Sequence, residues 1–302
     1  MSLFDPFHLP FMARALAELV ILGVLAGTVG VLVLLRRLAF ASDTLTHTVF
    51  PGVVIGYLLG GDGGIFWGAL AAGIVTAVLL TVFTHRRRVS EDAALAMLLT
   101  SLFAVGVVLV SRQTGYTSDL TAFLFGRVLT VTQEQLVQTG VVTVLVVGLL
   151  AVLRRPLMLR AFDPEGAAAA GVRVSLLDLV LNVAIALVIV AAVRAVGTIL
   201  VIALLIVPAA AARALSDRLM VIVPLACLIA AAGGWLGLAV SFDASIHYGL
   251  RLASGGTIVL VLVVMYGLAT LAGTVRRRVP LLQGGRAKEG ARLDEPELEA
   301  AR

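Results

Sequence analysis

Apolar stretches of about twenty residues recur along this 302-residue chain, and that recurrence is what most limits its fold. A hydrocarbon core about 30 Å thick is crossed by roughly 20 helical residues. In lipid every backbone N–H and C=O must find its partner within the protein, so segments of this length are read as spanning helices. Composition agrees: 60% of residues are hydrophobic and 14% charged, against about half and a quarter in a soluble domain. Mean hydropathy is +1.08. No polar stretch is long enough to fold separately, so residues 1–280 read as one transmembrane domain. Residues 281–302, charged and without apolar periodicity, read as a disordered cytoplasmic tail.

Spans are expected at about 11–35, 40–60, 65–84, 93–110, 136–153, 176–193, 198–212, 219–240 and 256–275. The net charge of +5 lies largely in clusters at span ends: Arg36-Arg37, His85-Arg86-Arg87-Arg88, Arg154-Arg155 and Arg276-Arg277-Arg278. Nine spans with the N-terminus outside put all four clusters on one side, as the positive-inside rule requires. The basic balance therefore points to the membrane surface and not to nucleic acid. The start of the chain lacks a basic n-region and a cleavage signal, so its first apolar stretch is expected to be retained. Cys227 is the only cysteine, which excludes an internal disulfide and a thiolate metal cluster. A stretch at 119–130, apolar but too short to span, reads as interfacial or re-entrant.

Within the second span stand Asp43 and His47, four residues apart and on one helical face. An ionisable group near a bilayer centre costs about 2.5–3.5 kcal/mol on the mildest scale, which favours a bundle interior or a water-filled path. The other reading is a solvated helix entrance with Ser42 or Asp43 as its cap. Asp243 and His247 repeat the spacing, in a chain with four histidines. Two carboxylates and two imidazoles suit Mn²⁺, Fe²⁺ or Zn²⁺. The topology sets the late pair at the outer end of the eighth span and the early pair nearer the cytoplasm, so a single site requires one of them to shift in depth.

Asp163-Pro164-Glu165 opens a short helix as N-cap, first residue and first-turn acid; Ala167 continues it, Gly171 ends it, and Arg173 follows. It reads either as an ordinary surface helix or as a docking element for a cytoplasmic partner. Glu18 is placed near an outer vestibule, Asp178 and Asn182 in interhelical hydrogen bonds, and Arg194 at the outer interface. There is no G-x-x-x-x-G-K-[ST], no H-E-x-x-H and no G-x-S-x-G, so neither P-loop ATP binding nor those hydrolytic chemistries are expected, and the chain does not read as an enzyme.

Several stretches together resemble the permease subunits of bacterial ABC importers for zinc, manganese and iron. Val33-Leu34-Leu35-Arg36-Arg37-Leu38 leads into Asp43-Thr44-Leu45-Thr46-His47-Thr48-Val49-Phe50-Pro51-Gly52, which is similar to that family's D-A-L-S-H-A-V-L-P-G. Phe125-Gly126, Phe162-Asp163-Pro164-Glu165, Gly197-Thr198-Ile199-Leu200-Val201, Leu204–Ala209 and Ser254–Leu260 match further motifs, so the likeness covers about 11–275. Thr44, Thr46 and Thr48 stand where the family has alanine or serine, and Arg127 replaces a small polar residue.

The resemblance implies an all-α polytopic helix bundle of eight to nine transmembrane helices with a short cytoplasmic coupling helix. Asp163, Pro164, Glu165, Ala167, Gly171 and Arg173 would meet a separate ATPase subunit. Asp43, His47, Asp243 and His247 would be transient metal contacts. It further implies a homodimer in the bacterial cytoplasmic membrane, fed by an extracytoplasmic metal-binding protein. No cofactor is tightly bound; the divalent ion is cargo, and ATP belongs to the partner. The alternative is an ion-coupled carrier or channel that works without an ATPase.

Overall fold

The computed structural model describes residues 5–85, 90–111, 126–249 and 252–293. Every element within them is helical, and seven helices are long and apolar enough to cross a membrane. In chain order these elements are α1 (Pro10–Leu35), α2 (Ala39–Thr48), α3 (Phe50–His85), α4 (Glu91–Ser111), α5 (Gln133–Val152), α6 (Arg154–Phe162), α7 (Pro164–Ala169), α8 (Val174–Leu215), α9 (Leu219–Tyr248) and α10 (Ser254–Leu293). The seven spans count α2 and α3 as one continuous apolar stretch.

Two of the seven fold back on themselves. In α3 the backbone leaves the helical region at Gly60 and Gly61, the latter at φ 57°. Gly52 then lies on Gly68 and Gly56 on Gly64, the contacts of an antiparallel hairpin. Helix α8 has 42 residues and would be about 63 Å long if straight, twice a bilayer core. It breaks at Gly197, whose φ of 75° suits glycine. Before the break Asp178 pairs with Arg36 at the end of α1. After it the Leu205 carbonyl meets Gly30, under two turns from that same end. In an unbroken helix Leu205 would stand about 40 Å from Asp178, so the second half returns toward the first.

In α1 and α8, 67% of the apolar window is buried inside the subunit, against 22–33% in the other spans. These two therefore form the middle of the bundle. Helix α9 runs antiparallel to α1, with Gly23 on Ala230, Gly27 on Cys227 and Leu19 on Gly234. Small residues at four-residue spacing let the backbones approach this closely. At Gly30 a side chain has no room, because a Cβ would land on the backbone carbonyl of Leu205. Gly30→Val is expected to cost at least about 1–3 kcal/mol by overpacking and to lower the yield and melting temperature of the detergent-purified protein. Gly140→Ala, with open space around it, is the matched control and should leave both unchanged.

The α1–α2 turn is a Schellman motif: Leu38 N–H donates to Val33 and Arg37 N–H to Leu34. Arg37 holds its left-handed position at φ 58°, usually a glycine site. The turn lies at the bundle end that also carries Arg154, Arg155, Arg160 and Arg213, called the arginine end below.

Of the interfacial helix expected at 119–130, positions 119–125 lie outside the described residues, as do Arg86–Arg88; Val128–Thr130 make a 3-10 turn. Arg127 N–H donates to Ala195 O, which seats this turn on the break in α8. The apolar part of α10 is Ser254–Val275, but its helix continues to Leu293, past the tail boundary expected at 280. Helix formers such as Leu281, Gln283, Ala287 and Glu289 favour this extension beyond the span, against Pro280 and the glycines at 284, 285 and 290. Residues 294–302 lie outside the described residues.

Candidate functional site

Helix α2 is a polar helix set inside the bundle. Ser42, Thr44, Thr46 and Thr48 are fully buried. Three of them donate to their own helix: Ser42 to Leu38 O, Thr46 to Asp43 O and Thr48 to Leu45 O. Back-bonding of this kind hides the hydroxyls without partners from other helices. Thr44 Oγ1 is buried with no hydrogen-bond partner. Pro51 explains why α2 stops: it has no N–H for the acceptor four residues back, so the ladder breaks and α3 starts afresh at Phe50.

Asp43 and His47 remain accessible on this helix, their side chains 42% and 31% exposed. His47 Nε2 stands 3.8 Å from Asp43 Oδ1, too far for a hydrogen bond. Two donors bound to one ion at about 2.1 Å lie roughly 3.0–3.4 Å apart, so a small adjustment lets both reach one cation. Phe103 of α4 packs against the His47 ring edge-on at 5.8 Å and against Phe50 at 5.7 Å, supporting the imidazole from one side.

The late pair is built differently. It occupies the last two turns of α9, which Gly249 closes in the left-handed conformation. His247 Nδ1 is 3.0 Å from Asp243 Oδ1 and 3.3 Å from the Asp243 carbonyl. With Nδ1 so engaged, Nε2 is left for an incoming ion. These side chains are 48% and 56% exposed, for His247 and Asp243 respectively.

The two pairs stand at different levels. Counted from the arginine end at 1.5 Å per residue, His47 is about 14 Å along the bundle and Asp243 about 36 Å. Among the described residues no group of three or more His, Cys, Asp or Glu is placed to hold an ion together. A twofold axis along the bundle would preserve these depths, so dimerisation along such an axis leaves the pairs apart as well.

Helix α7 forms as its capping residues dictate. Asp163 Oδ1 accepts from Gly166 N–H at 2.8 Å, and Pro164 takes the first helical position. Ala167 is its one fully buried side chain; Asp163, Pro164, Glu165, Gly171 and Arg173 are exposed. Next to it Phe162, the first residue of the Phe162-Asp163-Pro164-Glu165 motif, is 66% exposed.

Buried polar residues fall partly where expected. Asn182 donates to Thr81 Oγ1 at 3.1 Å across the α8–α3 interface. Glu18 is wholly buried and accepts from Thr139 at 2.7 Å, with its second oxygen unpartnered. Arg194, placed at the outer interface by the sequence, lines a small cavity with Gln135, Gln138, Thr139 and Phe66. The break at Gly197 ends that half-span three residues after Arg194 and so keeps it among neighbouring helices.

The family model of the ABC 3 transport family matches residues 8–273. The chain is 36% identical over 261 residues to the manganese transport system membrane protein MntC of Halalkalibacterium halodurans, covering 86% of each. It is 30% identical over 279 residues to the probable iron transport system membrane protein of Haemophilus influenzae, covering 91% of this chain and 98% of that one. Its fold superimposes on PsaBC from Streptococcus pneumoniae in complex with Fab with a TM-score of 0.76 and 29% identity, over 89% of this chain and 94% of the other. With that match running through every span from α1 to α10, the chain is a multi-pass membrane protein that belongs to the ABC 3 transport family.

Proposed function

We propose that the chain is the permease subunit of an ATP-binding-cassette importer for a divalent transition metal, Mn²⁺ first, with Zn²⁺ and Fe²⁺ as the other candidates. The observation that carries this reading is the Asp43–His47 pair, 3.8 Å apart on a helix whose other polar side chains are buried. A carboxylate with an imidazole suits all three ions, and the names of the relatives favour manganese.

The hairpin in α3 and the return of α8 support nine crossings, which put the N-terminus outside and the arginine end in the cytoplasm of a bacterial cell. Two copies of the chain form the path. A separate ATPase docks on α7, with Asp163, Pro164, Glu165, Gly171 and Arg173 offered to it and Phe162 beside them. A metal-binding protein outside delivers the ion, which meets Asp243 and His247 first and Asp43 and His47 deeper in the bundle. Each level offers two ligands from this chain, and a carrier must release what it binds, so few ligands at each step suit the task. ATP-driven closure of the partner displaces α7, and the bundle alternates its access around the deeper pair.

Reconstitution in proteoliposomes tests this reading. Mn²⁺ uptake is expected only when the ATPase and ATP are present on the cytoplasmic side. Uptake by the chain alone, driven by an ion gradient, would overturn it in favour of a self-sufficient carrier.

A further inference from the structure

At the arginine end one carboxylate ties two parts of the molecule that are distant in sequence. Asp178 lies in the second turn of α8. Its Oδ1 is 2.7 Å from Arg36 Nη1, and its Oδ2 is 3.2 Å from Arg160 Nη2. The two arginines use different oxygens, so both contacts hold at once. Arg36 caps α1 and stands three residues before α2, the helix of Asp43 and His47. Arg160 is in the last turn of α6, three residues before the Asp163 cap of α7. Glu91, the first residue of α4, interacts electrostatically with Arg36, Asp178 and Arg160 as well as with its neighbour Asp92, so the start of α4 belongs to the same cluster. Helix α4 is also the one whose Phe103 packs on His47.

Such a cluster is unusually well placed to carry force. The side chains are only 11%, 24% and 20% exposed, for Arg36, Asp178 and Arg160, so water and salt screen them little. Helices α6 and α7 reach the rest of the subunit chiefly through the end of α5 and the start of α8. A shift of α7 therefore has a short covalent route to Arg160, then a hydrogen-bonded ion pair to Asp178, then a second ion pair to Arg36 at the root of α2. A charge-assisted hydrogen bond and an ion pair at a part-buried joint transmit displacement where a solvated pair would part and re-form.

We infer that Asp178 is a positioning residue that couples the docking helix α7 to the metal-bearing helix α2. It touches neither cargo nor ATP and acts through Arg160 and Arg36. The inference rests on the proposed importer function. It predicts that breaking the joint uncouples ATP hydrolysis from transport and leaves hydrolysis in place.

The test uses the assembled permease and ATPase in proteoliposomes, with Mn²⁺ uptake and ATP hydrolysis measured on the same preparation. For Asp178→Asn, hydrolysis should stay within about twofold of wild type while Mn²⁺ moved per ATP falls about tenfold or more, the range of a coupling free energy between sites. Asp178→Glu, which restores the charge, should recover much of the ratio. Arg160→Gln cuts only the link to α7 and leaves Arg36 paired with Asp178, so it should lower the ratio in the same way even if Asp178→Asn fails to assemble. An unchanged ratio in Arg160→Gln, or equal loss of hydrolysis and uptake in both variants, overturns the inference. Failure of the importer reading would look different, as wild type itself would then move Mn²⁺ without ATP.

Discussion

Asp43→Asn is expected to abolish Mn²⁺ uptake while the protein still inserts and still binds its ATPase. Asparagine keeps the size of the side chain, so the packing of Ser42, Thr44 and Thr46 around it should survive. What it loses is the negative charge and the second strong acceptor. Even a group that only supports a ligand is worth about 10–100-fold in metal affinity, and a direct ligand should be worth no less. With two ligands from this chain at that level, removing one leaves an imidazole alone to draw an ion from water. His47→Ala should give the same outcome by removing the other. It should also release Phe103, which packs on that ring at 5.8 Å. The measurements are ion uptake into cells or vesicles, membrane abundance, and co-purification of the ATPase. Wild-type uptake in either variant would remove the pair from the path.

That pair was legible because lipid makes an ionisable residue conspicuous, and because spacing of four on a helix is geometry rather than context. The spans were legible for the same reason, since apolar length is local. What could not be read were features decided by where one helix meets another. The reversal at Gly197 was expected from hydropathy, but the contacts that prove it, Leu205 on Gly30 and Asp178 on Arg36, join residues far apart in sequence. Asp178 was expected to hydrogen-bond between helices, yet its two arginine partners come from α1 and α6 and carry no mark in their own segments. Glu18 looked like a vestibule residue by its nearness to a span end, yet it is wholly buried, with Thr139 of α5 donating to its carboxylate. Counting residues along the spans left open whether the two acid–histidine pairs meet at one level, because depth depends on how each helix is set in the bundle.

Ala167→Glu is expected to stop ATP-driven uptake as completely as loss of the metal pair, by a different route. Helix α7 has six residues, far below the length of about 12–15 at which an isolated helix becomes even marginally stable. Its place therefore depends on what holds it from outside. The cap from Asp163 to Gly166 is one such hold. The other is Ala167, the one side chain of the helix with no exposure at all. Glutamate there must either bury a charge with no partner or lift the helix off the bundle, and the second costs less. The exposed residues Asp163, Pro164 and Glu165 would then no longer be presented as a unit. Asp163→Ala, which removes only the cap, should cost about 1 kcal/mol locally and weaken uptake without ending it. Since α7 lies outside the spans, membrane abundance should stay near wild type in both variants, and the ATPase should be lost from the purified complex in proportion to the loss of uptake. An Ala167→Glu permease that retains its ATPase and pumps at the wild-type rate would place the docking surface elsewhere on the arginine end, with exposed Phe162 the first residue to test.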